Sequence, residues 1–207
     1  ANRMPAYQIL LSMRPQQWIK NLFVLAALVF SEHLFDPAYA IRGGTAFALF
    51  CLLSGVVYII NDIVDLDRDR QHPDKRRRPI ASGRVGVPGA AAGAVAISAG
   101  ALWLAFRLDA GFGWIAILYV GLNLAYSWYL KHVVILDVMV VAAFFLLRAI
   151  SGAVAIGVEI SSWFILCTML LALFLGFVKR RQELILLEEG AAEHRRALED
   201  YGPRFLD

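Results

Sequence analysis

The stretch GGTAFALFCLLSGVVYIINDIVDLDRDRQHPDKRRRP, residues 43–79, joins two opposites. An apolar run reaches Ile60, four aspartates come next within 62–69, and four consecutive basic residues occupy 75–78. The apolar run has the length a helix needs to cross a bilayer, roughly 20 residues. Directly beyond it, where a helix would leave the lipid, lies a candidate metal and phosphate site.

The rest of the chain agrees with a membrane fold. Its 207 residues are 59% hydrophobic, and its mean hydropathy of +0.62 is too apolar for an ordinary soluble domain. Six spans are expected, at about 19–35, 43–62, 86–107, 113–131, 133–156 and 161–178. Trp18, Trp103, Trp114, Trp128 and Trp163 fall near the ends of these spans, where amphipathic rings favour the headgroup layer. Residues 6–21 read as an amphipathic interfacial helix (about 1–18) leading into the first span, not as a signal peptide. The fold class is therefore all-α: a polytopic transmembrane helical bundle forming a single membrane domain over 1–207. Cys51 and Cys167 lie inside apolar spans without partners at ligand spacing, which disfavours disulfide and zinc roles. No nucleic-acid partner is expected; homo-oligomers stay open.

Basic residues crowd one side. Arg3, Arg14, Lys20, the bases of 68–84, Lys131 and those from Lys179 onward share it, and only Arg42 and Arg107 oppose them. The positive-inside rule makes the crowded side cytoplasmic. The loops expected on the other side, near 36–42 and 108–112, are short. The inner segments 63–85 and 179–207 are long and charged, so they are expected to carry the chemistry. They come after spans four apart, which hints at a duplicated half. Gly89 and Gly93 form a small-xxx-small pair suited to helix packing.

Asn61, Asp62, Asp65 and Asp69 have helical spacing: Asn61 to Asp65 turns by ~40° and Asp62 to Asp69 by ~20°. They share one stripe, and Asp67 points elsewhere. A hard cation such as Mg²⁺ would relieve their mutual repulsion, and it is usually held through a few carboxylates, waters and phosphates. The bland alternative is a solvated helix end paired with Arg68 and Arg70. Lys75, Arg76, Arg77 and Arg78 suit the oxygens of a metal-chelated diphosphate; inner-leaflet lipid is their rival partner.

NDIVDLDRD at 61–69 matches the NDxxDxxxD signature of the UbiA family of intramembrane prenyltransferases. The resemblance implies an all-helical fold, typically of nine spans, with Mg²⁺ and a cytoplasm-facing cavity in the cell membrane. Three further spans beyond Asp207 are then expected. MRPQQWIKN at 13–21 and DKRRRPIASG at 74–83 resemble the branch whose diphosphate donor is phosphoribosyl pyrophosphate and whose acceptor is polyprenyl (decaprenyl) phosphate, the source of cell-wall arabinan in actinobacteria. Asp62, Asp65 and Asp69 would then be catalytic through the metal.

Arg14, Gln17 and Asn21 recur at i, i+3 and i+7, with Lys20 beside them. The resemblance puts this face near the phosphates; an interfacial anchor is the alternative. Tyr126 and Lys131 match a recurrent family pattern. Asp137 and Arg148, 11 residues apart, lie ~20° apart around a helix and ~16 Å along it. A mid-span cation costs at least ~2.5 kcal/mol, which predicts a partner for Arg148, an anion on a neighbouring span, or an aqueous cavity. After the sixth span most of the family carries a second Asp motif; here the chain reads KRRQE, which suggests ligand contact by Lys179, Arg180 and Glu183. Lys179 and Glu183 could instead simply pair at i, i+4. His72 and His194 receive no role. Two other functions stay open: prenyl transfer to an aromatic acceptor on the same fold, and a non-enzymatic lipid-phosphate carrier.

Overall fold

The computed structural model describes residues 5–130, 133 and 135–188. In chain order, α1 (Pro5–Ser12) leads into a 3-10 segment (Pro15–Leu25) and the short α2 (Ala26–Phe30). Then come α3 (Pro37–Val64), α4 (Leu66–Gln71), α5 (Val87–Leu108), α6 (Ala110–Trp128), α7 (Leu136–Ile156) and α8 (Ser162–Glu188). The described residues contain no strand. Among the described residues, five helices are long and apolar enough to cross a membrane: α3, α5, α6, α7 and α8 as far as Gln182. The chain is an all-α, multi-pass membrane protein.

The expected first span, 19–35, is not one α-helix. Pro15 opens a tighter 3-10 segment after Arg14, which adopts a left-handed φ of 52°. A 3-10 helix rises about 2.0 Å per residue, so the 3-10 segment and α2 together still extend about 30 Å, the thickness of the hydrocarbon core. The change of period moves side chains. At three residues per turn, Trp18, Asn21 and Val24 fall on one row, and Gln17, Lys20 and Phe23 on another. Asn21 and Val24 are buried, at 1% exposure each, while Lys20 stays accessible. The expected shared face of Arg14, Gln17 and Asn21 assumed α-helical turns and is not formed.

The other boundaries shift for readable reasons. Asp36 caps α3, its carboxylate accepting from Ala38 N at 2.9 Å, so the expected loop at 36–42 is helix. The loop expected at 108–112 shrinks to Asp109, whose N–H closes α5 on Ala105 O and whose carboxylate caps α6 through Phe112 N at 3.0 Å. Beyond residue 178 the chain stays helical to Glu188 instead of opening into a loop. Trp103, Trp114, Trp128 and Trp163 are exposed near helix ends. Trp18 instead joins a buried cluster with Met13, Ile59 and Ile80.

α3 and α7 are the inner helices. Phe50 and Leu53 of α3 meet Phe112 and Tyr119 of α6 and Phe144 of α7 in the main core. α8 shows Leu170, Phe174 and Leu175 outward, away from the described bundle. Lipid supplies little hydrophobic drive for helix association, so close packing and buried hydrogen bonds decide the arrangement. A Cβ on Gly152 would collide with the Val24 carbonyl, so only glycine lets the 3-10 segment lie this close to α7. Gly176 serves likewise where α8 meets Val138 of α7. Gly89 has nothing within 4 Å of a would-be Cβ and Gly93 meets only Ile9 of α1, so the expected small-xxx-small pair joins no two spans among the described residues. At the sparsely charged end, Arg42 donates to Ala155 O at 2.7 Å and Leu108 O at 3.2 Å, tying α3 to the ends of α7 and α5.

Candidate active site

Two charged groups meet at the charged end of the bundle. The first gathers where α3 gives way to α4. Asp65 interrupts the helix at φ −87°, ψ 12°, yet its N–H still reaches Asn61 O and its carbonyl still accepts from Asp69 N, each at 2.9 Å. Helical phase therefore survives the break, and Asp62 and Asp69 stay on one side, each 2% exposed. Arg78 Nη1 donates to Asp69 Oδ2 at 2.5 Å and to Asp62 Oδ1 at 3.2 Å. Arg14 pairs with the same Asp62 oxygen and lies over the Tyr58 ring, 4.8 Å from its centre.

The basic run thus divides. Arg78 turns inward, while Lys75, Arg76 and Arg77 are exposed. Ile80 and Val85 explain the turn: both are buried against Met13, Val56 and Ile59, which draws the loop under α3. Val85 N also closes on Pro79 O at 3.0 Å, and Arg84 donates to Arg77 O across the same turn.

The second group lines a cavity of about 290 Å³ between the 3-10 segment and α3, α6, α7 and α8. Its cations are Lys20, Arg148, Lys179 and Arg180, and no Asp or Glu among the described residues lines it. Arg180 is offset by Asp137, fully buried and 2.7 Å away. Arg148, 7% exposed, has only neutral partners: Asn21 Oδ1 at 2.9 Å, Tyr119 Oη at 2.8 Å and Phe144 O at 3.0 Å. The predicted anionic partner of Arg148 does not exist among the described residues, and Asp137 pairs across to α8 instead. A buried cation with neutral partners at a cavity wall is chemically suited to an anion.

Of the residues singled out from sequence, Lys20, Asn61, Tyr126, Arg148, Lys179 and Arg180 line the cavity. Arg14, Asp62, Asp69 and Arg78 form the adjoining cluster. Asp65 is half-buried at the break in the helix, and Gln17 is half-buried outside both groups. Lys131 and the side chain of Glu183 lie outside the described residues. Ser54, Tyr58, Tyr119, Asn123 and Ser127 also line the cavity and were not singled out. Their signal was present: Ser54, Tyr58 and Asn61 recur at i, i+4 and i+7 on α3, as do Tyr119, Asn123 and Tyr126 on α6, polar stripes in otherwise apolar spans.

The acid cluster can be tested against a divalent cation. Two carboxylates already converge on one positively charged nitrogen, so they are placed to share a cation. No three His, Cys, Asp or Glu among the described residues come together. Such a pair fits Mg²⁺, which commonly takes one or two carboxylates and completes its shell with water and phosphate oxygens.

A family model described as the UbiA prenyltransferase family matches residues 21–182. Curated relatives called decaprenyl-phosphate phosphoribosyltransferase are 38% identical over 94% of the chain in Corynebacterium glutamicum and 40% identical over 94% in Mycolicibacterium smegmatis. The chain spans 60% and 63% of the length of those two relatives. A structure concerned with digeranylgeranylglyceryl phosphate synthase superposes over 97% of this chain and 71% of its own, with a TM-score of 0.76 at 17% identity. The Archaeoglobus fulgidus UbiA homolog bound to DMAPP and Mg²⁺ superposes over 96% of this chain and 71% of its own, with a TM-score of 0.72 at 19% identity. Helix order, the NDIVDLDRD signature and the family match over most of its length agree: this chain belongs to the UbiA prenyltransferase family.

Proposed function

We propose that this protein transfers 5-phosphoribosyl from phosphoribosyl pyrophosphate to a polyprenyl phosphate such as decaprenyl phosphate and releases pyrophosphate. The observation that carries the reading is the cavity lined by Lys20, Arg148 and Lys179, with no carboxylate lining it among the described residues, beside the Asp62–Asp69 pair. Both substrates are phosphorylated, and the names of the relatives support the choice of acceptor and of group transferred. The site faces the cytoplasm, where a soluble diphosphate donor is available, and the basic end of the bundle faces the same way. The same reaction would supply a precursor of cell-wall arabinan.

Asp62 and Asp69, with Asn61 and Asp65 on the neighbouring turn, are the residues that would hold Mg²⁺. When bound, the ion supplies charge neutralisation for the diphosphate leaving group. Lys20, Arg148 and Lys179 bind the anionic oxygens and stabilise negative charge that grows as the bond to ribose C1 breaks. Arg14 and Arg78 balance the charge of the carboxylates beside the cavity. A phosphate oxygen of the acceptor attacks C1 as the ribose becomes oxocarbenium-like. That oxygen is already anionic near neutral pH, so the reaction requires no carboxylate base at the cavity wall. The protein's contribution is to orient two anions against one another and to balance their charge.

The test offers membranes carrying the protein two substrate sets: labelled phosphoribosyl pyrophosphate with polyprenyl phosphate, or prenyl diphosphate with an aromatic acid. Labelled lipid and pyrophosphate from the first set alone are the expected outcome. Turnover with the second set alone assigns prenyl transfer, and neither product with full binding of the lipid phosphate assigns a carrier.

A further inference from the structure

Arg148 has five N–H groups and spends three on protein. Nε donates to Asn21 Oδ1, Nη2 to Tyr119 Oη and Nη1 to Phe144 O. One hydrogen remains on each terminal nitrogen, and Arg148 lines the cavity, where phosphate oxygens would be suited acceptors. The three acceptors that hold the guanidinium are an amide, a phenol and a backbone carbonyl. None carries a negative charge, although each stands where a carboxylate would be the ordinary partner of a buried arginine.

The orientation of the Asn21 amide is set by its neighbours. Ser54 Oγ donates to Cys51 O at 3.1 Å, so its lone pairs must receive the Asn21 Nδ2 hydrogen at 3.0 Å. The same NH₂ group lies 3.4 Å from Cys51 Sγ. With the nitrogen turned to α3, only the carbonyl oxygen is left for Arg148. Donation thus runs one way, from Arg148 through Asn21 and Ser54 to a backbone carbonyl of α3. The Tyr119 ring adds a second neutral contact, its centre 5.0 Å from the Arg148 guanidinium carbon. Gly152, one turn beyond Arg148, sets the approach of the 3-10 segment that lets Asn21 reach it. Asn21 is 1% exposed and does not line the cavity. Its role is therefore not the phosphate contact expected from sequence.

We infer that Asn21, backed by Ser54 and aided by Tyr119, is a positioning residue that fixes the Arg148 fork toward the cavity while leaving its charge uncompensated for the diphosphate. This rests on the proposed diphosphate site. An aspartate at position 21 would have nearly the same shape and would keep the hydrogen bond to Arg148, but it would cancel the charge the ligand needs. It would also oblige the Ser54 hydroxyl to reverse.

The experiment measures binding of inorganic pyrophosphate and of inorganic phosphate, each with Mg²⁺, to the detergent-purified chain by calorimetry, with thermal unfolding as a control. Asn21→Asp should weaken pyrophosphate binding at least tenfold, and weaken it more than phosphate binding, because the lost attraction scales with ligand charge. General loosening of the site would weaken both ligands alike and would overturn the inference, as would unchanged affinity. If Asn21→Asp does not fold, Tyr119→Phe carries the test: about threefold to tenfold weaker pyrophosphate binding is expected, and wild-type affinity overturns the inference. Absence of pyrophosphate binding by the wild-type chain would instead reject the diphosphate site itself.

Discussion

Arg78 is the residue on which the acid cluster turns. It bridges Asp62 and Asp69, two carboxylates with 2% exposure each, and so does in protein form what a shared metal ion would do. Arg78→Gln removes the ion pair to Asp69 and leaves Asp62 its pair with Arg14. Uncompensated buried charge costs several kcal/mol when one partner of a pair is removed, about 3–5 in fully buried cases; the half-buried Arg78 side chain puts the expected loss below that. The thermal midpoint of this variant in chelator should fall, and millimolar Mg²⁺ should recover most of the loss. The wild-type midpoint should respond less to the same addition. No recovery by Mg²⁺ would mean that the carboxylate pair does not accept the ion. Asp62→Asn and Asp69→Asn should each lower transfer at least ~100-fold in a labelled-ribose assay, as expected if each helps hold the ion that neutralises the leaving diphosphate.

At the scale of elements, small residues and single caps set the spacing of helices that lipid does not push together. Gly152→Val places a side chain on the Val24 carbonyl and must move the 3-10 segment. Overpacking of this kind costs about 1–3 kcal/mol, and here it also draws Asn21 from Arg148. The expected result is a lower unfolding midpoint together with weaker pyrophosphate binding. Arg42→Ala, at the far end, should lower the midpoint by removing hydrogen bonds to Ala155 and Leu108 while pyrophosphate affinity stays at the wild-type level. The same elements show what was legible in advance. α5 was readable to within a residue at each end because Gly86, Pro88 and Arg107 punctuate an unbroken apolar run. The Asp62–Asp69 side was readable because helical phase survives the break at Asp65. The 3-10 segment was not readable: its apolar and polar residues fit a period of 3.6 about as well as 3.0, and its packing on α3 and α7 is not encoded in local pattern. That one ambiguity misplaced Asn21. Arg148 was legible as an expensive cation, but its side-chain partners lie 29 and 127 residues away, a pairing that local pattern does not encode.

Across the whole molecule the charges separate into two adjoining groups, a carboxylate cluster and a cation-lined cavity. The carboxylates sit where α3 breaks, and the cavity cations sit between the 3-10 segment, α3, α6, α7 and α8. Under the proposed function, a metal–diphosphate complex would use both zones, whereas a lone metal or a lone lipid headgroup would use only one of them. The most direct measurement is an experimental structure of the chain with Mn²⁺ and pyrophosphate, with the metal located by its anomalous scattering. The predicted result is Mn²⁺ against Asp62 and Asp69, with pyrophosphate oxygens extending to Arg148 and Lys179. Metal or pyrophosphate held elsewhere, with Arg78 still bridging the two aspartates and the cavity holding only solvent, would contradict the account.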